Sequence, residues 1–331
     1  MINQSLQLHP DIFDASKLLS QATRDGFGRG LVQAGKQDER VLALCADLAE
    51  STRAEWFQKE FPERYVEIGI AEQNMIAVAS GFANYGKIPF TMSYATFSPG
   101  RSWEQIRSTV CINHVPVKIV GSHAGVSVGP DGATHQALED IALMRVLPHM
   151  TVVVPADAEQ AQQATLAIAF NNEPSYIRLA RAATPVFTTP ATPFEIGKAQ
   201  MVYQAPHAKI GIIACGSLVY ESIRAAHELT QKGIPVSVLN LHTIKPLDQD
   251  GVLDFVYGLE HVITAEEHQV AGGMGSTVAE FLAQKRPIKM SFIGMKDRFG
   301  ESGTPQELLE TFGFTKDGIV RHITAEILTQ K

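Results

Sequence analysis

Short runs of consecutive apolar, largely β-branched residues alternate along the chain with longer stretches in which apolar positions recur every three or four residues. The runs VLALCAD (41–47), VEIG (66–69), VPVKIVGS (115–122), TVVVPAD (151–157) and SYIRLA (175–180) predict strands. Stretches 17–34, 72–84, 101–113, 136–146 and 157–171 predict the helices between them. Strands that are apolar at every position are buried on both faces, and helix-length connections are what a parallel sheet requires. The first half is therefore expected to be a doubly wound α/β domain. The proline- and threonine-rich segment TPVFTTPATPF (184–194) suits neither helix nor sheet interior and predicts a linker. Beyond it the alternation resumes with KIGIIAC, PVSVLNL, HVITAEE and IKMSFIG, separated by helical patterns near 217–231, 248–256 and 272–284. The division that follows is an N-terminal extension (1–16), a first mostly parallel α/β domain (17–183), the linker (184–194) and a second, smaller α/β domain (195–331).

The length, 331 residues, suits about two domains. Hydrophobic residues make up 45% and charged residues 19%, an ordinary globular composition. The net charge is −7 with no lysine or arginine cluster, so nucleic acid is not an expected partner. The longest apolar runs fall far short of the ~20 residues of a membrane span. The first residues, MINQSLQLHPDIFDASK, lack the charged and apolar regions of a signal peptide, which predicts a cytoplasmic protein. Cys45, Cys111 and Cys215 match no zinc or CxxC spacing and are expected as reduced, mostly buried thiols.

Two glycine patterns could cradle phosphate. Gly26, Gly28 and Gly30 follow no strand directly, so close helix packing is the favoured reading. AGGMGS (271–276) follows a strand but lacks the Walker lysine and a full GxGxxG, and a tight turn explains it equally well.

Three other segments carry more chemistry. In YVEIGIAEQNM (65–75) a strand ends and a helix begins with Glu72, which either compensates the helix dipole or sits at a ligand rim. SHAGVSVGPDGATHQALEDIA (122–142) places His123, Asp131 and His135 around a glycine-rich loop, where they are structural, or transfer protons, or recognise a polar substrate. No metal-ligand spacing is present there. In FTMSYATFSPGRSWEQIR (90–107), Tyr94 and Phe97 are either core residues or a stacking surface for a planar heterocycle.

Taken in order, GIAEQNM, SYATFSPGR, SHAGVSVGPDGATHQALEDIALMRVLP, VVVPAD and TAEEHQVAGGMGS resemble the thiamine-diphosphate-dependent transketolase family over about residues 17–331. The resemblance is to the pyrimidine-binding domain followed by the C-terminal domain. The family's pyrophosphate-binding domain, with its Gly-Asp-Gly motif for Mg²⁺ and diphosphate, has no counterpart here. The resemblance thus implies the smaller subunit of a split transketolase, inactive alone, with the Mg²⁺ ligands on a separate N-terminal subunit. It also implies a homodimer contact within an assembly of two copies of each chain.

Position by position, the resemblance makes Glu72 the carboxyl group that hydrogen-bonds N1′ of the aminopyrimidine. There it favours the imino tautomer whose 4′-nitrogen removes the thiazolium C2 proton. Tyr94 and Phe97 match aromatics on the pyrimidine, while Gly100 replaces a third aromatic. Asp47 matches an aspartate near the thiazolium. His123, Asp131 and His135 match residues of the substrate channel, with both histidines placed at the reacting end. Arg24, Arg181 and Ser51 match the binding site for a sugar's phosphate, a role suited to permanently charged guanidinium forks. Arg178 has no such counterpart and is expected to be structural. The implied reaction moves a two-carbon ketol unit from a ketose phosphate to an aldose phosphate. Alternatives are the β subunit of a 2-oxo-acid dehydrogenase, a deoxyxylulose-phosphate synthase, and a scaffold subunit that keeps the fold without catalysis. His123, the DGATHQ loop, Arg24 and Arg181 favour the sugar phosphate, and the single long chain usual for the synthase ranks it lower.

Overall fold

The computed structural model describes residues 1–328. Among the described residues the strands are, in chain order, β1 (Ser20–Ala22), β2 (Val41–Cys45), β3 (Tyr65–Glu67), β4 (Ile88–Tyr94), β5 (Lys118–Ser122), β6 (Thr151–Val153), β7 (Ser175–Arg178), β8 (Ala183–Pro185), β9 (Gln200–Tyr203), β10 (Ile210–Ala214), β11 (Val236–Asn240), β12 (Thr243–Lys245), β13 (His261–Gln269) and β14 (Lys289–Met295). One sheet has the order β12-β6-β7-β5-β4-β2-β3 and a second β14-β13-β10-β11-β9. Both are parallel except for the edge strands β12 and β9. Alternate residues of β2 enter separate cores, Leu42 and Leu44 on one face and Val41, Ala43 and Cys45 on the other. Burial on both faces is why the runs read as unbroken apolar sequence. This is the expected pair of doubly wound α/β layers, and no helix among the described residues is long and apolar enough to cross a membrane. All three cysteines are buried free thiols.

The two halves are interlocked. β12 follows the second sheet's β11 in sequence but pairs with β6 of the first sheet. The core beneath Leu42 and Ile119 also takes in Ile213, Leu239 and Val262 from the second half. Residues 1–16 pack against the second half as well: Ile12 is buried and its carbonyl accepts from the Tyr220 hydroxyl at 3.1 Å.

Several local expectations need correction. The first helix runs Thr23–Gln37 rather than 17–34, because Ser20–Ala22 pair with Ala183–Pro185 as a small antiparallel ribbon. Thr23 Oγ1 accepts from Ala180 N–H at 2.7 Å and fixes the helix start beside the ribbon. Stretch 101–113 divides into Trp103–Gln105 and a π-helical turn, Ile106–Cys111. The helix expected over 136–146 shrinks to Asp140–Arg145, since Ala137 is held in a bridge to Ala124. The 184–194 segment is no loose tether: Phe187 and Thr188 are buried, and both their N–H groups donate to Asp157 Oδ2, at 2.9 and 2.7 Å.

The N-terminal glycine pattern is explained by packing. A Cβ on Gly26 would lie 1.7 Å from the Ala158 carbonyl oxygen, so helices Thr23–Gln37 and Ala158–Ala169 meet backbone to backbone.

Candidate active site

The carboxyl ends of the parallel strands form one rim, with β2 leading to Asp47 and Ser51, β3 to Glu72, β4 to Tyr94 and Phe97, β5 to His123 and β7 to Arg181. The chain passes from β2 outward to β3, then crosses to β4 on the other side of β2. Such a reversal opens the crevice in which α/β sheets take ligands.

Glu72 opens helix Glu72–Asn84, yet its side chain is only 2% exposed. A carboxylate needs a partner at that depth. It accepts from Arg101 Nη1 at 2.9 Å, an arginine that sequence reasoning passed over. The Arg101 guanidinium lies 5.0 Å from the Phe97 ring centroid, and Phe97 stacks near Tyr94 with centroids 6.0 Å apart. Gly100 is not simply a lost aromatic, because a Cβ there would come within 2.1 Å of the Thr96 carbonyl oxygen. The turn that presents Phe97 leaves no room for a side chain at position 100.

His123 also stacks on Tyr94, at 3.9 Å between centroids. It is 1% exposed, and its Nδ1 contacts Ser122 Oγ at 2.8 Å. Its Nε2 lies 3.4 Å from Arg24 Nη1. An arginine can only donate, so Nε2 carries the lone pair and Nδ1 the proton. Burial, then the nearby charges of Arg24, Arg181 and Arg53, push the imidazole down to about 3, so it is neutral at physiological pH. Arg24 also donates to the Ser51 carbonyl at 2.8 Å, while its Nε is buried without a partner. Arg181 donates to the Val128 carbonyl at 2.8 Å. Arg53, a further cation missed in the sequence, pairs with Asp25 at 2.7 Å and completes the positive side of the rim. His135 meets Phe97 edge to face at 5.4 Å and its Nδ1 contacts Thr134 Oγ1 at 2.9 Å. Asp131 is exposed at the tip of that loop. Asp47 is exposed too, its N–H donating to Glu67 Oε1 at 2.8 Å. The structure thus gathers Tyr94, Phe97, His123, His135, Arg24 and Ser51 in contact, and leaves the Asp47 and Asp131 carboxylates at the margins. Among the described residues no three His, Cys, Asp or Glu side chains group as metal ligands.

The second glycine turn has its own occupant. Met274 and Gly275 N–H donate to Glu266 at 2.7 and 2.8 Å, so a buried carboxylate fills the helix N-terminus where a phosphate would sit. Burial raises Glu266 to about 7 against these two hydrogen bonds. Next to it, Glu267 accepts from Ser127 N–H and Ser217 Oγ, tying the histidine loop to the second half. Arg178 is buried in an ion pair with Asp140 at 2.8 Å and donates to the Ala137 and Glu267 carbonyls.

Comparison with known proteins covers both halves. Residues 20–186 match the family model "Transketolase, pyrimidine binding domain" and residues 197–319 match "Transketolase, C-terminal domain". A Methanocaldococcus jannaschii protein named as a transketolase C-terminal section is 40% identical, over 92% of this chain and 96% of its own. A 6-deoxy-6-sulfo-D-fructose transketolase subunit from Clostridium sp. (strain MSTE9) is 38% identical, over 92% of this chain and 94% of its own. A solved structure described as a split gene transketolase, inactive beta4 tetramer, superposes with a TM-score of 0.85 at 41% identity, covering 92% of this chain and 98% of that one. With matches of this extent over both halves, the chain belongs to the transketolase family, as its pyrimidine-binding and C-terminal domains.

Proposed function

We propose that this chain is the C-terminal subunit of a split, thiamine-diphosphate-dependent transketolase. It moves a two-carbon ketol unit from a ketose phosphate to an aldose phosphate, and it works only with a separate pyrophosphate-binding subunit that supplies the Mg²⁺ ligands. The observation that carries this reading is Glu72, a carboxylate 2% exposed at a helix start on the strand-end rim, linked through Arg101 to the Phe97 ring. Relatives that are themselves subunits or sections of transketolases support the division of labour, and the inactive beta4 tetramer supports a lone chain without turnover. That neighbour also extends the expected self-association from a dimer to a tetramer.

The residues present fit thiamine diphosphate. Glu72 offers a buried acceptor to a ring N–H, and Phe97 and Tyr94 are aromatic groups on the same rim. When bound, the cofactor supplies the electron sink for breaking a carbon–carbon bond next to a carbonyl. The chain's own work is then electrostatic and positional. Glu72 holds a proton at N1′ of the aminopyrimidine. Asp47, exposed at the margin of the rim, would lie on the thiazolium side of the bound cofactor. His123, neutral with its lone pair at Nε2, accepts from a substrate hydroxyl, and His135 and Asp131 contact the donor sugar. Arg24, Arg181 and Ser51 hold the phosphate, Arg53 adding to the local positive field.

Glu72→Ala in the complex with the partner subunit tests this reading. Ketol transfer should fall by about 10²–10⁴-fold, the range of acid–base assistance. Near-full activity of the variant would overturn the assignment, and Mg²⁺-dependent turnover by the purified chain alone would overturn the split.

A further inference from the structure

Arg101 makes two contacts of the kind a planar cation makes with a binding site. Its Nη1 donates to Glu72 Oε2 at 2.9 Å, and its guanidinium carbon lies 5.0 Å from the Phe97 ring centroid. We propose that Arg101 is a self-ligand, which in the chain without cofactor takes the place of the aminopyrimidine and must leave before that ring binds. The proposal rests on the reading of Glu72 and Phe97 given above.

A guanidinium and an aminopyrimidine present the same chemistry, a flat π-face with N–H donors on its edge. Glu72 Oε2 and the Phe97 face serve one of them at a time. Without any partner the carboxylate would be buried unpaired, a costly arrangement, and Arg101 removes that cost while the site waits. Its release needs little movement. The side chain is 50% exposed, so rotation about its own stem carries the guanidinium into solvent. The backbone stays, since the Arg101 carbonyl accepts from Gln73 Nε2 at 3.4 Å on the helix that carries Glu72. Apparent affinity for the heterocycle is then the intrinsic affinity multiplied by the fraction of chains with Arg101 swung away.

A charge-assisted contact to a buried acceptor, reduced because the arginine is half solvated, predicts that Arg101→Ala binds the heterocycle about tenfold tighter. The probe is thiamine, which carries the aminopyrimidine and no diphosphate, titrated into the purified chain and followed by ligand-observed NMR. Equal or weaker binding by Arg101→Ala, or no binding by either chain, overturns the proposal. A second measurement is independent of any ligand. In urea unfolding, Arg101→Ala should lower the midpoint more in the wild-type background than in Glu72→Gln, where only its contact with Phe97 is lost; equal shifts in both backgrounds overturn the proposal. If thiamine binds and the two residues couple, yet Glu72→Ala remains active in the assembled complex, the catalytic reading fails while the self-ligand stands.

Discussion

Removing the Asp140 carboxylate should destabilise the chain by several kcal/mol. Asp140 accepts from Arg178 Nε at 2.8 Å and from the Tyr176 hydroxyl at 2.6 Å. Its side chain is 1% exposed and that of Arg178 is 7% exposed. Burial by itself would raise the carboxyl, but the Arg178 charge and the two hydrogen bonds outweigh it and leave the group below its ordinary value. Asp140→Ala strands the guanidinium, which cannot shed its proton, in a site with no other carboxylate contact among its hydrogen bonds. Breaking a buried pair from one side costs roughly 3–5 kcal/mol. For a chain of 331 residues the unfolding entropy of about 2.1 cal/mol/K per residue makes the shift about 1.4 °C per kcal/mol, so Tm falls by roughly 4–7 °C. Differential scanning calorimetry of the purified chain measures this, and Asp140→Ala with Arg178→Met should recover most of the loss, because the pair rather than either residue carries the penalty. A drop under about 2 °C in the single variant, or no recovery in the double, would refute the reasoning, since 3 kcal/mol cannot hide in so small a shift.

Two further outcomes follow from packing and titration. Gly26→Ala forces a methyl onto the Ala158 carbonyl and should lower stability by about 1–3 kcal/mol or more, whereas Gly81→Ala, with open space around it in helix Glu72–Asn84, should raise it by about 0.5–1 kcal/mol; thermal melts giving both changes the same sign would contradict the account of the helix contact. Burial pushes His123, His242 and His268 down to about 3, 4 and 4, so the unfolded chain takes up protons that the folded chain refuses. Stability should therefore fall as pH drops below the ordinary histidine value of about 6.5. Glu266, raised to about 7, holds a proton in the folded chain and offsets part of that loss. Tm measured from pH 7.5 to 5 should decline, and a flat profile would count against three neutral buried imidazoles.

Local pattern was enough for the central strands. β2, β6 and β10 are read from nearly unbroken apolar runs because sheets covered on both faces leave little room for polar groups, and in β5, β7 and β11 the buried polar residues Lys118, Arg178 and Asn240 stand at strand ends. The rim was also legible: Tyr94 ends a strand, and His123, Phe97 and Glu72 follow strand ends within five residues, so the chain's own order delivers them to one edge. What the sequence could not disclose depends on partners far apart in the chain. The β1–β8 ribbon and the bridge at Ala137 turned predicted helix or linker into paired backbone, and β12, in a stretch with no predicted element, joins the first sheet. Arg24 reaches His123 across 99 positions, Arg101 reaches Glu72 across 29, and Arg178 reaches the Glu267 carbonyl across 89. Periodicity and capping act over one or two turns of chain, and so they set the elements. Pairing of buried charges acts through space at a few ångströms, so only the packed tertiary structure decides which arginine neutralises which carboxylate.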